Sequence, residues 1–179
     1  MIKKIAIAVG VLVAGVLVYA TTKPDTLHVE RSTTIQAPPA AIHPLVNDFH
    51  TWRAWSPYEK RDPALGRTFS GADAGPGAVY EWNGNSEVGQ GRMEITESAP
   101  SKIAIKLDFI KPFEGHNVAE FRFEPKDSST NVTWVMHGPA TYLTKLMCVF
   151  IDMDDMIGRD FETGLANLKS IAESKRQQS

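Results

Sequence analysis

Five histidines, one cysteine, a short acidic run and a set of tryptophans and tyrosines are the residues of this chain with chemistry to offer. His28, His43, His50, His116 and His137 are scattered, whereas a catalytic centre needs acid, base or nucleophile groups in mutual reach. Asp152, Asp154 and Asp155 resemble a fragment of a calcium loop, but the glycine and terminal glutamate of that loop are missing, so a solvated or capping acidic patch is expected. Glu87 and Arg92 are singled out by no spacing, and the chain has no zinc-ligand set, phosphate-cradling glycine loop or nucleophile elbow. No catalytic residue, metal or cofactor is implied. Cys148 lies in the apolar stretch Leu146–Phe150, so it reads as a buried, inert thiol, and an intramolecular disulfide is impossible. What remains is the chemistry of apolar recognition. Tyr80 and Trp134 carry polar handles that either orient a ligand headgroup or are satisfied by backbone carbonyls. Trp52, Trp55 and Tyr58 either gate a pocket or anchor short helices by packing.

Repeated two-residue alternation supplies the elements that would hold these side chains. Leu27–Ile35 reads as a first strand, followed by a helix from Ala37-Pro38-Pro39 through Phe49 with Ile42, Leu45, Val46 and Phe49 on one stripe. His50–Tyr58 reads as a short helix or turn, and residues 61–77, rich in Asp, Pro, Gly and Ala, as loop. Five alternating segments follow, centred on Tyr80, Met93, Ile105, Phe121 and Trp134, which predicts an antiparallel sheet with one buried face. By this alternation His137 faces outward. Asp154–Ser174 places Ile157, Phe161, Leu165, Leu168 and Ile171 on one helical face, with Lys169, Lys175 and Arg176 towards its end, where the dipole favours cations. Tyr142–Met153 is apolar over most of its circumference and must be buried or touch something greasy.

The N-terminus is of a different kind. Sixteen apolar or small residues, Ile5–Ala20, follow Lys3 and Lys4. At about 1.5 Å per residue they span roughly 24 Å, near the thickness of a bilayer core. The lysines predict a cytoplasmic N-terminus and an exported C-terminal part, placed in the periplasm or outside the cell on a single-pass anchor in the cell (inner) membrane. The small-residue site Val18-Tyr19-Ala20 leaves a cleaved signal peptide, and hence an exported soluble form, as the other reading. Gly10 and Gly15 are five apart, which is not the close-packing spacing of dimerising membrane helices, and nothing sets an oligomeric state. A net charge of −2 gives no reason to expect nucleic acid. The resulting division is 1–22 anchor or signal, 23–26 linker and 27–179 a single domain.

The order strand, two short helices, antiparallel sheet and long C-terminal helix is a helix-grip arrangement of the α+β class. Trp52-Arg53-Ala54-Trp55-Ser56-Pro57, Asp62-Pro63, Tyr80-Glu81-Trp82-Asn83-Gly84-Asn85, Val88-Gly89-Gln90-Gly91-Arg92-Met93 and Asp160–Lys169 together resemble the polyketide cyclase/dehydrase and lipid-transport family of the START-like (SRPBCC) superfamily. The resemblance implies a curved sheet wrapped around the C-terminal helix and enclosing a deep apolar cavity. It does not dictate an activity, because the fold hosts carriers, cyclases, receptors and chaperone activators. Periodicity alone favours a filled core, because an ordinary sheet-on-helix interface uses the same residue types, and it is the resemblance that favours a cavity. If a cavity exists, its expected lining is Trp55, Tyr80, Trp82, Met93, Ile105, Leu107, Phe109, Phe121, Trp134 and Met136, with Phe161 and Leu165 from the helix. The expected partner is a hydrophobic small molecule or lipid, with membrane contact through Ile5–Ala20. A polyketide cyclase or dehydratase and a ligand-free protein-interaction module are the rival classes.

Overall fold

In the computed structural model, which describes residues 1–176 and side chains as far as Ser174, seven antiparallel strands form one sheet in the order β1-β7-β6-β5-β4-β3-β2. The strands are β1 Thr26–Ile35, β2 Gly66–Gly71, β3 Ala78–Asn83, β4 Gln90–Ala99, β5 Lys102–Lys111, β6 Gly115–Lys126 and β7 Ser129–Pro139. Helices are α1 Ile2–Thr21, α2 Pro39–Asn47, α3 Trp52–Trp55, α4 Tyr142–Phe150 and α5 Met153–Arg176. The helix-grip fold expected from the element order is therefore present. Register shifts between β4 and β5, at Gln90/Gly91 and Ile95/Glu97, each oppose unequal numbers of residues and bend the sheet into a trough.

α5 lies in that trough. Phe161, Leu165 and Leu168 of the stripe its sequence periodicity predicts are buried against the sheet together with Ala172, while Ile157 and Ile171 at the ends of that stripe are half-buried. Polar contacts along β1 fix its direction: the Arg31 guanidinium donates to Asp154 and Glu162, and Lys169 Nζ donates to the Thr34 carbonyl at 2.8 Å. The Arg31 pKa is raised by its hydrogen bonds to Asp154 and Glu162, so this clamp stays charged at any physiological pH. The acidic run is a helix start: Asp152 Oδ1 accepts from the Asp155 backbone N–H at 3.0 Å, and Asp155 pairs with Arg159. The side chains of Lys175 and Arg176, expected near the helix end, lie outside the described residues.

α2 and α3 close one end of the trough. A helix leaves its last carbonyls without intrahelical partners. Here the Trp55 indole N–H donates to the Leu45 carbonyl at 2.8 Å and the Trp52 indole to that of Val46 at 3.0 Å. Asn167 of α5 then donates to the Trp55 carbonyl at 2.9 Å. Two tryptophans three residues apart thus cap α2 and tie it to α5.

Two segments depart from the sequence reading. Residues 66–71 form an edge strand where loop was expected, pairing Phe69 with Tyr80 and Arg67 with Trp82. The segment has one apolar residue, so it shows no alternation; backbone pairing to β3, rather than a buried face, makes it a strand. The apolar Tyr142–Met153 segment is not buried. α4 sits on the surface against α1, and none of its residues is buried. α1 itself is long and apolar enough to cross a membrane and is almost wholly exposed.

Leu168 is fully buried at the centre of the α5–sheet contact. Leu168→Ala should lower unfolding stability by about 2–5 kcal/mol, read as a shifted midpoint in chemical denaturation of the full chain.

Candidate functional site

The trough is filled at one end and hollow at the other. Ile35, Ile42, Ile103, Phe123, Leu168 and their neighbours make a closed core beneath the C-terminal half of α5. Under its N-terminal half lies a cavity of about 420 Å³, within the usual range for small-molecule sites. Tyr80 and Trp82 of β3, Met93 of β4, Leu107 and Phe109 of β5, and Trp134 and Met136 of β7 form its sheet wall. Met153, Met156, Ile157, Asp160 and Phe161 of α5 face them. The α3–β2 connection adds Ser56, Tyr58, Glu59, Arg61 and Leu65, and the loops Glu87–Gly89 and Lys111–Pro112 complete the rim.

Of the twelve residues expected at a cavity, Tyr80, Trp82, Met93, Leu107, Phe109, Trp134, Met136 and Phe161 line this one. Trp55, Ile105, Phe121 and Leu165 stand behind the wall in the closed core, each less than 2% exposed. Alternation separates inward from outward residues, but it does not say where along the trough the core ends. Trp52 lines the cavity and Trp55 does not, and both indoles serve α2. Of the residues sequence reasoning passed over on the helix, Met153 and Met156 continue the Ile157–Phe161 face by one turn, and extending that stripe towards the N-terminus would have found them; Asp160 lies within the face, beside Phe161.

Two glycines let the tryptophans lie flat. A Cβ on Gly91 would stand 2.3 Å from the Trp82 ring, its cross-strand partner, and 2.6 Å from the Asp108 carbonyl. A Cβ on Gly164 would stand 2.7 Å from Trp134. Trp82 is held by donating to the Val88 carbonyl at 3.0 Å. Trp134 stacks on Phe161 with centroids 4.0 Å apart and planes 5° from parallel. Among the described residues its indole nitrogen is a buried donor with no hydrogen-bond partner, which is costly unless something satisfies it.

Two polar clusters interrupt the apolar wall. Glu59, its side chain 6% exposed, accepts from the Tyr80 hydroxyl at 2.6 Å through one oxygen and from Arg67 Nε at 2.6 Å through the other. Burial, followed by the hydrogen bond to Glu59, pushes the Tyr80 phenol well above its ordinary range, so it stays protonated and donating. Both Glu59 oxygens are thereby engaged in short hydrogen bonds, which fix the orientation of the carboxyl group. In the second cluster Asp160 pairs with Arg61, whose guanidinium lies over the Tyr58 ring, 5.4 Å from its centroid. Burial and then the Asp160 carboxylate raise the Tyr58 phenol pKa. No sequence signal marks these clusters, because their members meet only through the folding of the α3–β2 connection onto β3 and α5. Glu59→Ala should leave Arg67 without its partner and cost about 3 kcal/mol, measured by denaturant unfolding.

On the outer face of the sheet, behind Leu107 and Phe109, His116 Nδ1 lies 2.7 Å from Asp108 Oδ1, and Lys106 stands 3.0 Å from the same carboxylate. The hydrogen bond to Asp108 raises the His116 pKa. Burial pushes Asp108 upward, but the bonds from His116 and Lys106 outweigh it and hold its pKa below the usual value. A raised histidine stabilises the fold below its unfolded pKa, and that contribution is lost as pH rises through the folded value. A depressed aspartate stabilises above its unfolded pKa, and that contribution is lost as pH falls through the folded value. The pair therefore holds the β5–β6 turn between about pH 4 and 6.5, fading outside that window. A proton NMR titration should place the His116 midpoint above about 6.5, and Asp108→Asn should bring it back down.

A profile of the family described as polyketide cyclase / dehydrase and lipid transport matches residues 26–173. Among solved structures, a protein from Thermobifida fusca is 22% identical with a TM-score of 0.61, over 81% of this chain and 92% of its own. The Aha1 dimer from Colwellia psychrerythraea is 14% identical with a TM-score of 0.59, over 82% and 96%. The di-domain ARO/CYC StfQ from the steffimycin biosynthetic pathway is 10% identical with a TM-score of 0.61, over 85% of this chain and 52% of that one. At these identities the likeness is one of fold. No protein with a curated description matches in sequence.

Proposed function

The chain belongs to the polyketide cyclase / dehydrase and lipid transport family, and from that premise we propose that it binds a hydrophobic small molecule or lipid, non-covalently, in the cavity under α5 while α1 holds it at a membrane. The observation that carries this reading is the cavity itself. A helix-grip core of this size can be filled, as its other end is, yet about 420 Å³ is left open between aromatic and methionine side chains. Unbranched, polarisable methionines (Met93, Met136, Met153 and Met156) suit a wall that adapts to its guest. Trp134 contributes an aromatic face to that wall, stacked on Phe161.

Retention of α1 supports a short path between ligand and reservoir. The helix is twenty residues long, about 30 Å, the thickness of a hydrocarbon core. Only Thr22–Asp25 separate it from β1. The lysines at positions 3 and 4 support an exported orientation for the domain.

One observation favours a second reading, a cyclase or dehydratase on a polyketide-like substrate: the cavity wall is not wholly apolar, because Tyr80, Glu59 and Asp160 reach it. Against it stands the engagement of both Glu59 oxygens.

The test uses the full chain in phosphatidylcholine nanodiscs, titrated with a pyrene-labelled fatty acid and read as energy transfer from the cavity tryptophans. Saturable transfer is expected. Leu107→Trp, which fills the cavity, should weaken it at least tenfold. Tyr80→Phe should leave binding nearly unchanged, whereas under the enzymatic reading it would abolish turnover of a polyketide-like substrate. Absence of transfer, together with no co-purifying apolar molecule in native mass spectrometry, would remove the carrier reading.

A further inference from the structure

The exposed large apolar side chains outside α1 are not scattered. Among the described residues they are Ile110 and Phe113 on the β5–β6 turn, Tyr142, Leu143, Phe150 and Ile151 on and just after α4, and Met156 on the first turns of α5. Both groups adjoin the cavity, because Phe109, Lys111 and Pro112 line it on one side and Met153, Met156 and Ile157 on the other. Single exposed apolar residues are ordinary on a soluble surface; here Met156 lines the cavity itself, Phe150 and Ile151 line a second hollow beside it, and Ile110 and Phe113 flank the rim residues Lys111 and Pro112. Phe150 is 72% exposed, too much for a residue waiting on its own fold for cover.

The position of α4 says what covers it. α4 packs on the last turns of α1, where Ala20 is fully buried, and the Tyr142 hydroxyl donates to the Leu17 carbonyl at 3.0 Å. If α1 spans a bilayer, Leu17–Ala20 lie at its boundary, so an element packed against them stands at headgroup depth. Most carboxylates around the collar are paired, and the exposed Glu114 beside Phe113 lies 3.5 Å from His116 Nε2. Asp25 pairs with Lys145, Asp154 with Arg31 and Asp155 with Arg159, and Asp152 caps α5. A second hollow, about 480 Å³, lies between the linker, α4 and the start of α5, and Met153 lines both it and the cavity.

We propose that this collar is a bilayer-docking surface: α4, the α4–α5 junction and the β5–β6 turn rest in the lipid interface, and the cavity opens on the membrane, from which an acyl chain or other membrane-dissolved guest enters past Met153. The inference rests on the reading of α1 as a retained anchor and of the cavity as a ligand site. It adds that docking, beyond tethering, sets where the ligand comes from.

The full chain carrying Cys148→Ala is labelled with an environment-sensitive fluorophore at single cysteines replacing Phe113, Phe150 or Ile151, with Ser128→Cys on the opposite β6–β7 turn as control. In phosphatidylcholine nanodiscs holding lipids with a shallow nitroxide quencher, the three collar labels should be quenched at least twofold and the control not at all. Collar labels quenched no more than the control overturn the proposal. Labels shielded from aqueous iodide but untouched by the lipid quencher also overturn it, in favour of a protein partner or a second copy. In proteoliposomes, Phe113→Asp with Phe150→Asp should slow uptake of the pyrene-labelled fatty acid at least fivefold with its final amplitude kept within twofold. An unchanged uptake rate overturns lateral entry. Lipid quenching with no pyrene uptake by the unsubstituted chain upholds docking and overturns lateral entry together with the carrier reading.

Discussion

The stack of Trp134 on Phe161 marks where this protein's core stops. On one side Trp134 meets Trp55 and Phe121, the closed end of the trough. On the other side the same two rings face open space. The stack exists because Gly164 lets the indole approach α5 and because the Arg31 and Lys169 contacts hold that helix along β1. A larger residue at position 164 would push the ring towards the cavity. A looser α5 would let the helix sink and fill the space. The hollow is maintained by rigid aromatic surfaces and a fixed helix, since apolar space collapses when its walls can move.

Polar groups are placed so as not to compete with that arrangement. The Trp52 and Trp55 indoles are spent on α2 carbonyls, Trp82 on a loop carbonyl, and Tyr80 on Glu59. Trp134 is the exception, unpaired and at the cavity wall. Near α4, Asp25 pairs with Lys145, Asp154 with Arg31 and Asp155 with Arg159, while Asp152 caps α5.

Much of the fold was legible because its signals are local. Alternation marked β1 and β3 through β7, Pro38-Pro39 marked the start of α2, and the Ile157–Ile171 stripe marked α5. β2 was not legible, since an edge strand whose only apolar residue is Phe69 carries no pattern. The apolar character of Tyr142–Met153 was plain from sequence, but whether it met the core or α1 depended on where α5 and the sheet left room.

The sequence by itself determined the α+β helix-grip class, the inward face of the strands from β3 to β7 and the presence of an N-terminal helix fit for a membrane, because each follows from residue type and short-range period; the family was carried by a resemblance of motifs, matched by the family profile over residues 26–173. Only the tertiary structure decided how far along the trough the core extends. It left Trp55, Ile105, Phe121 and Leu165 in the filled end, set Tyr80 and Trp134 beside open space, and joined Glu59 to Arg67. Those outcomes depend on sheet curvature and on the depth at which α5 is held. Both are sums over contacts distant in the chain, and no local spacing records them.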